Sequence, residues 1–229
     1  RLLCEGNRVL LTMGAREIHL PWVVGGKNGA GAGAILATCG ITGAIRGAKS
    51  KLPDGTTLRP DFVIPDDPQT DESANSPAQV AGREKTVAGA ILGLAGPGQK
   101  IAGVMPCTVI CEGDLADRVL NRDLHPEWNG SRIPFVKSFP ERLDLWDAYS
   151  ELRADSLREH GDIRDATKFY RKNRREMDNG AVVSWESRFE SDELSAIQHA
   201  MNKKAADESA FWSEYQNDPR ESSDAELRL

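Results

Sequence analysis

The chain has 229 residues, a formal net charge of −6, and only 39% hydrophobic and 6% aromatic residues. That length suits one large domain, or one domain plus a smaller one, with its core under a very polar surface. The acidic balance argues against tight, unaided binding of nucleic acid through overall charge, though not against a local basic patch. No apolar run approaches the ~20 residues that span a bilayer, and nothing reads as a signal peptide.

In chain order, residues 1 to about 137 are rich in Gly, Ala and short β-type runs. The predicted strands are Val9–Thr12, Ile18–Val24, Ala34–Thr38, Asp61–Ile64 and Lys100–Pro106. Between them, GGKNGAGAGA (25–34) is a low-complexity turn. Val80, Val87, Ile91 and Leu94 recur at helical spacing and predict a helix over Ser76–Leu94, stopped by AGPGQ (95–99). Helix, Gly-Pro turn and strand make half of a right-handed crossover. Strands and helices in alternation predict an α/β fold with a mostly parallel sheet covered by helices on both faces. A further helix begins at Gly113-Asp114 and carries Leu115, Val119 and Leu120.

From about residue 138 the texture becomes helical and charged. Arg142–His160 and Ile163–Met177 are predicted helices. NGAVVSWESRF (179–189) gives a turn and a short strand, and Ser191–Gln216 a closing helical segment. The tail NDPRESSDAELRL is polar and expected to fray. Cys4, Cys39, Cys107 and Cys111 share no CxxC spacing. Buried free thiols in a reducing cytoplasm are expected, rather than a zinc site.

Two motifs bear on phosphate and metal chemistry. In GAIRGAKS (43–50), Gly43, Lys49 and Ser50 fit a phosphate loop, but Ala48 stands in place of the second Gly. Such a Lys must open a helix whose free N–H groups face the phosphates. LPDG follows here, which is a turn. In LRPDFVIPDDPQTDE (58–72), an apolar run ends in Pro65, Asp66 and Asp67. Ligands of open α/β sheets sit beyond the carboxyl ends of the strands. There Asp66 would hold Mg²⁺ against a nucleotide's phosphates, and Asp67 would polarise the attacking water. The alternative is that Asp66 caps a following helix or turn and Asp67 is merely exposed. Thr108 ends the next predicted strand, where its hydroxyl could sense a γ-phosphate or simply terminate the strand. KFYRKNRR (168–175) reads as a solvated helix face or as a DNA contact.

Taken in order, these motifs resemble the large terminase subunit of tailed bacteriophages, the motor that packages DNA into proheads. IRG (45–47) precedes the acidic motif. REKTVAGAILGLAGPGQKIAGVMPCTVICEGDLADRVL follows it, with Thr108, Glu112, Asp114, Leu115 and Arg118 on matching positions. MDNGAVVSWESRFE and AFWSEYQNDP resemble later family motifs, so the likeness runs from about residue 15 to 219. It departs at Pro65, where an apolar strand residue is usual, and at Asp67, where many relatives carry the longer Glu.

The resemblance implies a P-loop ATPase fold of the additional-strand type over residues 1–137. A helical linker subdomain, 138–229, would lead to a nuclease domain. It further implies ATP and Mg²⁺, with Asp66 as the metal-binding acid, Asp67 as the catalytic carboxylate and Thr108 as the coupling residue. The phosphate loop would lie upstream of Arg1, so the isolated chain is expected to hydrolyse no ATP. Arg46 and Arg83 are candidate arginines acting in cis or in trans. The implied partners are double-stranded DNA, the portal protein, the small terminase subunit and neighbouring copies in a ring on the prohead, in the host cytoplasm and away from membranes. Two alternatives stand beside the motor. One is a non-catalytic α/β interaction module. The other is a metal-dependent nuclease built from Asp66, Asp67 and Asp71 or Glu72.

Overall fold

Strand pairing in the computed structural model follows the length of the connections. Residues 2–41, 43, 45, 47–52 and 55–220 are described, so Arg46 and the end of the polar tail lie outside the described residues. The chain divides into two units, Arg1–Pro68 with Ala81–Pro106 and Gln69–Val80 with Cys107–Leu229.

In the first unit, β1 (Leu3–Cys4), β2 (Asn7–Met13), β3 (Glu17–Val23) and β4 (Ile35–Ala37) form one sheet in that order, every pair antiparallel. The turn between β1 and β2 has Glu5 at φ 49° and Gly6 at φ 80°. That is the double left-handed conformation a tight hairpin requires. The β2–β3 register shifts between Leu10 and Thr12, opposite Leu20-Pro21. A proline has no ladder donor, and a bulge is where a strand tolerates one. Asn28 accepts from the Val23 N–H at 2.8 Å and donates to its carbonyl at 3.0 Å, closing the Gly-rich loop.

The expected large parallel sheet of P-loop type is therefore not what these strands build. They lie where the sequence predicts them, but a parallel partner needs a crossover of a dozen or more residues. Only Gly14–Arg16 separates β2 from β3, and a Gly- and Ala-rich loop separates β3 from β4. Hairpins are the one solution the chain allows. Another hairpin pairs β5 (Ser50–Lys51) with β6 (Thr57–Leu58).

Parallel pairing occurs once among the described residues, between β7 (Phe62–Val63) and β8 (Ala102–Gly103). The connection between them carries α1 (Asp71–Ala74), α2 (Pro77–Lys85) and a π-helical turn, Thr86–Ile91. In that turn the Leu92 N–H reaches back to the Val87 carbonyl at 3.2 Å. Pro77 sits at the first position of α2, where its missing N–H costs no helical bond. Val87, Ala90, Ile91, Leu94 and Ala95 are buried, which places the periodic apolar face inside. Gly96 and Gly98, both at positive φ, end the helical run.

The second unit holds the larger core. Asp114 caps α3 (Leu115–Leu120), and β9 (Val136–Ser138) pairs antiparallel with β10 (Val182–Val183). Next come α4 (Leu143–His160), α5 (Arg164–Met177), α6 (Ala196–Ala206), α7 (Glu208–Ala210) and a π-helical turn, Phe211–Tyr215. Gly161, at φ 71°, closes α4. Phe135, Trp146, Tyr149, Tyr170, Met177, Ile197 and Phe211 form one cluster. Each large side chain contributes roughly 1.5–3 kcal/mol of burial. The Gln216 amide imitates a strand, accepting from the Val136 N–H at 2.8 Å and donating to its carbonyl at 3.1 Å. No described helix is long and apolar enough to cross a membrane. Cys4 and Cys39 are exposed, and Cys107 and Cys111 half-buried, rather than buried as expected.

Candidate functional site

The acidic turn grows out of the parallel strand pair. Ala102 donates to the Asp61 carbonyl at 2.9 Å and Val104 to that of Val63 at 3.1 Å. Regular pairing of β7 stops at Val63, two residues before Pro65, which offers no donor and is buried. The ladder is then rejoined: the Asp67 N–H donates to the Pro106 carbonyl at 3.1 Å. Pro65 thus shortens the strand without detaching the acids from the segment that follows β8. Asp66 and Asp67 are exposed at the carboxyl end of the parallel pair. Asp67 has φ 38°, a left-handed conformation that few residues other than Gly, Asn and Asp adopt.

Neither acid caps the next helix. Thr70 caps α1, accepting from the Ser73 N–H, while the Ser73 hydroxyl receives the Thr70 N–H at 2.8 Å. Asp71 and Glu72 occupy the first turn of α1, where the helix dipole favours negative charge. Among the described residues no three His, Cys, Asp or Glu side chains gather as a metal site. Mg²⁺ needs only one or two protein carboxylates when nucleotide phosphates supply the other oxygens, so an exposed Asp66 fits that ion.

The segment resembling a phosphate loop is built differently. Lys49 is exposed and leads into β5 rather than into a helix. The Ser50 hydroxyl donates to Glu17 Oε2 at 2.8 Å, and His19 binds the other oxygen of the same carboxylate. These two bonds, the His19 one foremost, hold the Glu17 carboxyl below its usual range. The Ser50 hydroxyl is thus committed to the Glu17 carboxylate. Arg83, one of the candidate arginines, donates to the Pro68 carbonyl.

Thr108 belongs to the second unit. It is half-buried, and its carbonyl accepts from Gln69 Nε2 at 3.0 Å. Gln69 is itself buried. Its amide also donates to Asp114 Oδ2 at 2.8 Å and accepts from the Leu115 N–H at 3.0 Å. The Asp114 carboxylate is fully buried and takes the N–H groups of Ile110 (2.6 Å), Cys111 (3.2 Å) and Asp117 (2.8 Å). Burial, with Asp114 and Asp117 adding negative charge, pushes the Cys111 thiol up. The loop from Thr108 to Leu115 is therefore pinned at both ends by one amide and one carboxylate. Asp114 was legible as a helix start. Gln69 was not: a Gln between a Pro and a Thr carries no local pattern that marks it as buried.

Of the three predicted site residues, the structure brings Asp66 and Asp67 side by side in the first unit and sets Thr108 in the second. Comparison with protein-family models, curated proteins and solved structures finds no match to this chain.

Proposed function

We propose that the chain is part of an ATP-driven motor of the large-terminase type, which moves double-stranded DNA into a viral prohead. The observation that carries this is the exposed acid pair at the carboxyl end of the parallel β7–β8 pair, with Asp67 bonded through its N–H to the Pro106 carbonyl, three residues past β8. An exposed carboxylate turn at that end of a parallel strand is where nucleotide and metal chemistry is found in α/β proteins. Thr70, rather than either acid, caps the next helix, which removes the simplest structural reason for the pair. The ordered motifs from IRG to EYQNDP add the family likeness. The antiparallel sheet adds nothing to it, and the proposal does not rest on a P-loop sheet.

In this mechanism Lys49, which leads into β5 rather than into a helix, makes no β- or γ-phosphate contact. Asp66 would be the carboxylate that holds Mg²⁺, which would supply charge neutralisation at the nucleotide's phosphates. Asp67 accepts a hydrogen bond from the attacking water and orients it. Positioning and charge neutralisation do most of the work in phosphoryl transfer. Thr108 starts a segment held rigid by Gln69 and Asp114, so a displacement at its hydroxyl is carried into α3 rather than dissipated. The portal protein, the small terminase subunit and further copies of the motor complete the assembly.

The test is made in the full-length protein. Asp66→Ala is expected to abolish ATP hydrolysis while the melting temperature stays that of the parent, because the side chain is exposed. Turnover at the parent rate removes Asp66 from the site and leaves the motor assignment without its carrying observation.

A further inference from the structure

Helix α5 concentrates positive charge in an acidic chain. Its 14 residues carry six Lys and Arg against two acids, a net +4 in a protein whose total is −6. At 100° per residue, Arg164, Lys168, Arg171, Lys172 and Arg175 fall within one stripe about 100° wide, with no acid inside it. All five are exposed. The opposite side of the helix, Ala166, Tyr170 and Met177, is buried in the core, so the stripe faces outward by construction. Asp162 holds Arg164 and Asp165 holds Lys168. Among the described residues, Arg171, Lys172 and Arg175 have no carboxylate partner.

We propose that this stripe binds the phosphate backbone of double-stranded DNA. From Arg164 to Arg175 it is about 16 Å long, a length over which one strand of B-form duplex carries about five phosphates. A lipid surface is the poorer fit, since a helix that lies on a membrane needs an exposed apolar face and that of α5 is in the core. A single small anion is also a poorer fit. The adjoining cleft of about 310 Å³ is lined by Asp162 and Asp192 as well as by Arg164, Lys168 and Arg171. The free cations are spaced along the helix, as a linear polyanion demands, and contacts of this kind go to backbone rather than bases, so no sequence preference follows.

The choice of a DNA duplex rests on the packaging function, but the measurement needs no nucleotide triphosphate and does not involve Asp66. Failure of hydrolysis and failure of DNA binding are thus read separately. Fluorescence anisotropy of a labelled random-sequence duplex is measured with the 229-residue chain. With three to five phosphates contacted, affinity is expected to fall roughly 40- to 500-fold between about 50 and 200 mM salt. Arg171→Glu with Arg175→Glu is expected to weaken binding at least roughly tenfold more than the charge-matched control, Lys100→Glu with Lys137→Glu. Should the glutamate pair unfold, Arg171→Gln with Arg175→Gln is read instead and is expected to flatten the salt dependence. Equal binding by stripe and control variants overturns the proposal. So does absence of duplex binding at the lower salt, or binding to phosphatidylserine vesicles without binding to the duplex.

Discussion

Asp114→Asn changes one heavy atom and removes one charge, yet it is expected to be severe. In the parent, Oδ2 receives Gln69 Nε2 (2.8 Å), the Ile110 N–H (2.6 Å) and the Cys111 N–H (3.2 Å), while Oδ1 receives the Asp117 N–H (2.8 Å). Every partner is a donor, and asparagine offers a single acceptor oxygen. If that oxygen faces the three donors, the amide NH₂ opposes the Asp117 N–H and the cap is lost. If it faces Asp117, three donors oppose the NH₂. In the better case three charge-assisted bonds become neutral ones, at about 0.5–1 kcal/mol each, and one buried N–H is orphaned, at about 1 kcal/mol or more. The sum is about 3 kcal/mol, a large share of the ~5–15 kcal/mol that holds a typical protein folded. Urea unfolding read by tryptophan fluorescence follows the second unit, which contains Trp128, Trp146, Trp185 and Trp212. The midpoint is expected to fall by about 1–3 M with m unchanged. A cycle with Gln69→Leu should give a coupling energy of about 1 kcal/mol or more. A midpoint within measurement error of the parent would mean that the carboxylate does not organise the Thr108–Leu115 loop.

Two further outcomes follow from titrating groups. Burial, and then the hydrogen bond to the Asp178 carboxylate, push the Tyr170 hydroxyl well above its usual range. An acid whose folded pKa is raised stabilises the fold below its unfolded value of about 10, and that contribution disappears as the pH climbs past it. Unfolding free energy should therefore decline above about pH 10 in the parent and decline less in Tyr170→Phe, which costs about 1–2 kcal/mol at neutral pH through the lost bonds to Asp178 and Ser195; parallel pH curves would remove Tyr170 from this role. At the start of α5, the Arg164 guanidinium, bonded to both oxygens of Asp162, holds that carboxyl at about 2. Its contribution is present above the ordinary carboxylate range and is lost as the pH falls toward about 2. Carboxyl NMR titration should show Asp162 rising toward the ordinary carboxylate range in Arg164→Gln, though not reaching it, because the residue-164 N–H still donates to Oδ1; an unmoved midpoint would show that the pair does not form in solution.

Much of the local structure was written in the sequence. Strands β2, β3, β4, β7 and β8 lie inside or across the runs that alternation and β-branched content mark, α3 to α5 begin at Asp114 and near Arg142 and Ile163, within a residue or two of their expected starts, and α6 begins after Ser195, four residues into the expected Ser191–Gln216 segment. These features are local: a cap needs only the next three residues, and an amphipathic stripe only its own turns. β9 carries no sequence signal, because three residues between prolines and charges show no period. The wide π-helical turns Thr86–Ile91 and Phe211–Tyr215 read from sequence as ordinary helix, since one extra residue per turn barely disturbs a short apolar pattern.

The sequence by itself determined where the chain extends, where it coils, and that two acids follow a short apolar strand. The tertiary structure alone decided which strands pair and in which direction, that Asp67 is tied to the Pro106 carbonyl, and that Gln69 joins Thr108 to Asp114. Those bonds link residues about 40 positions apart or more. Partner choice over such separations is set by connection length and by the competition among buried donors and acceptors, which no short window of sequence records.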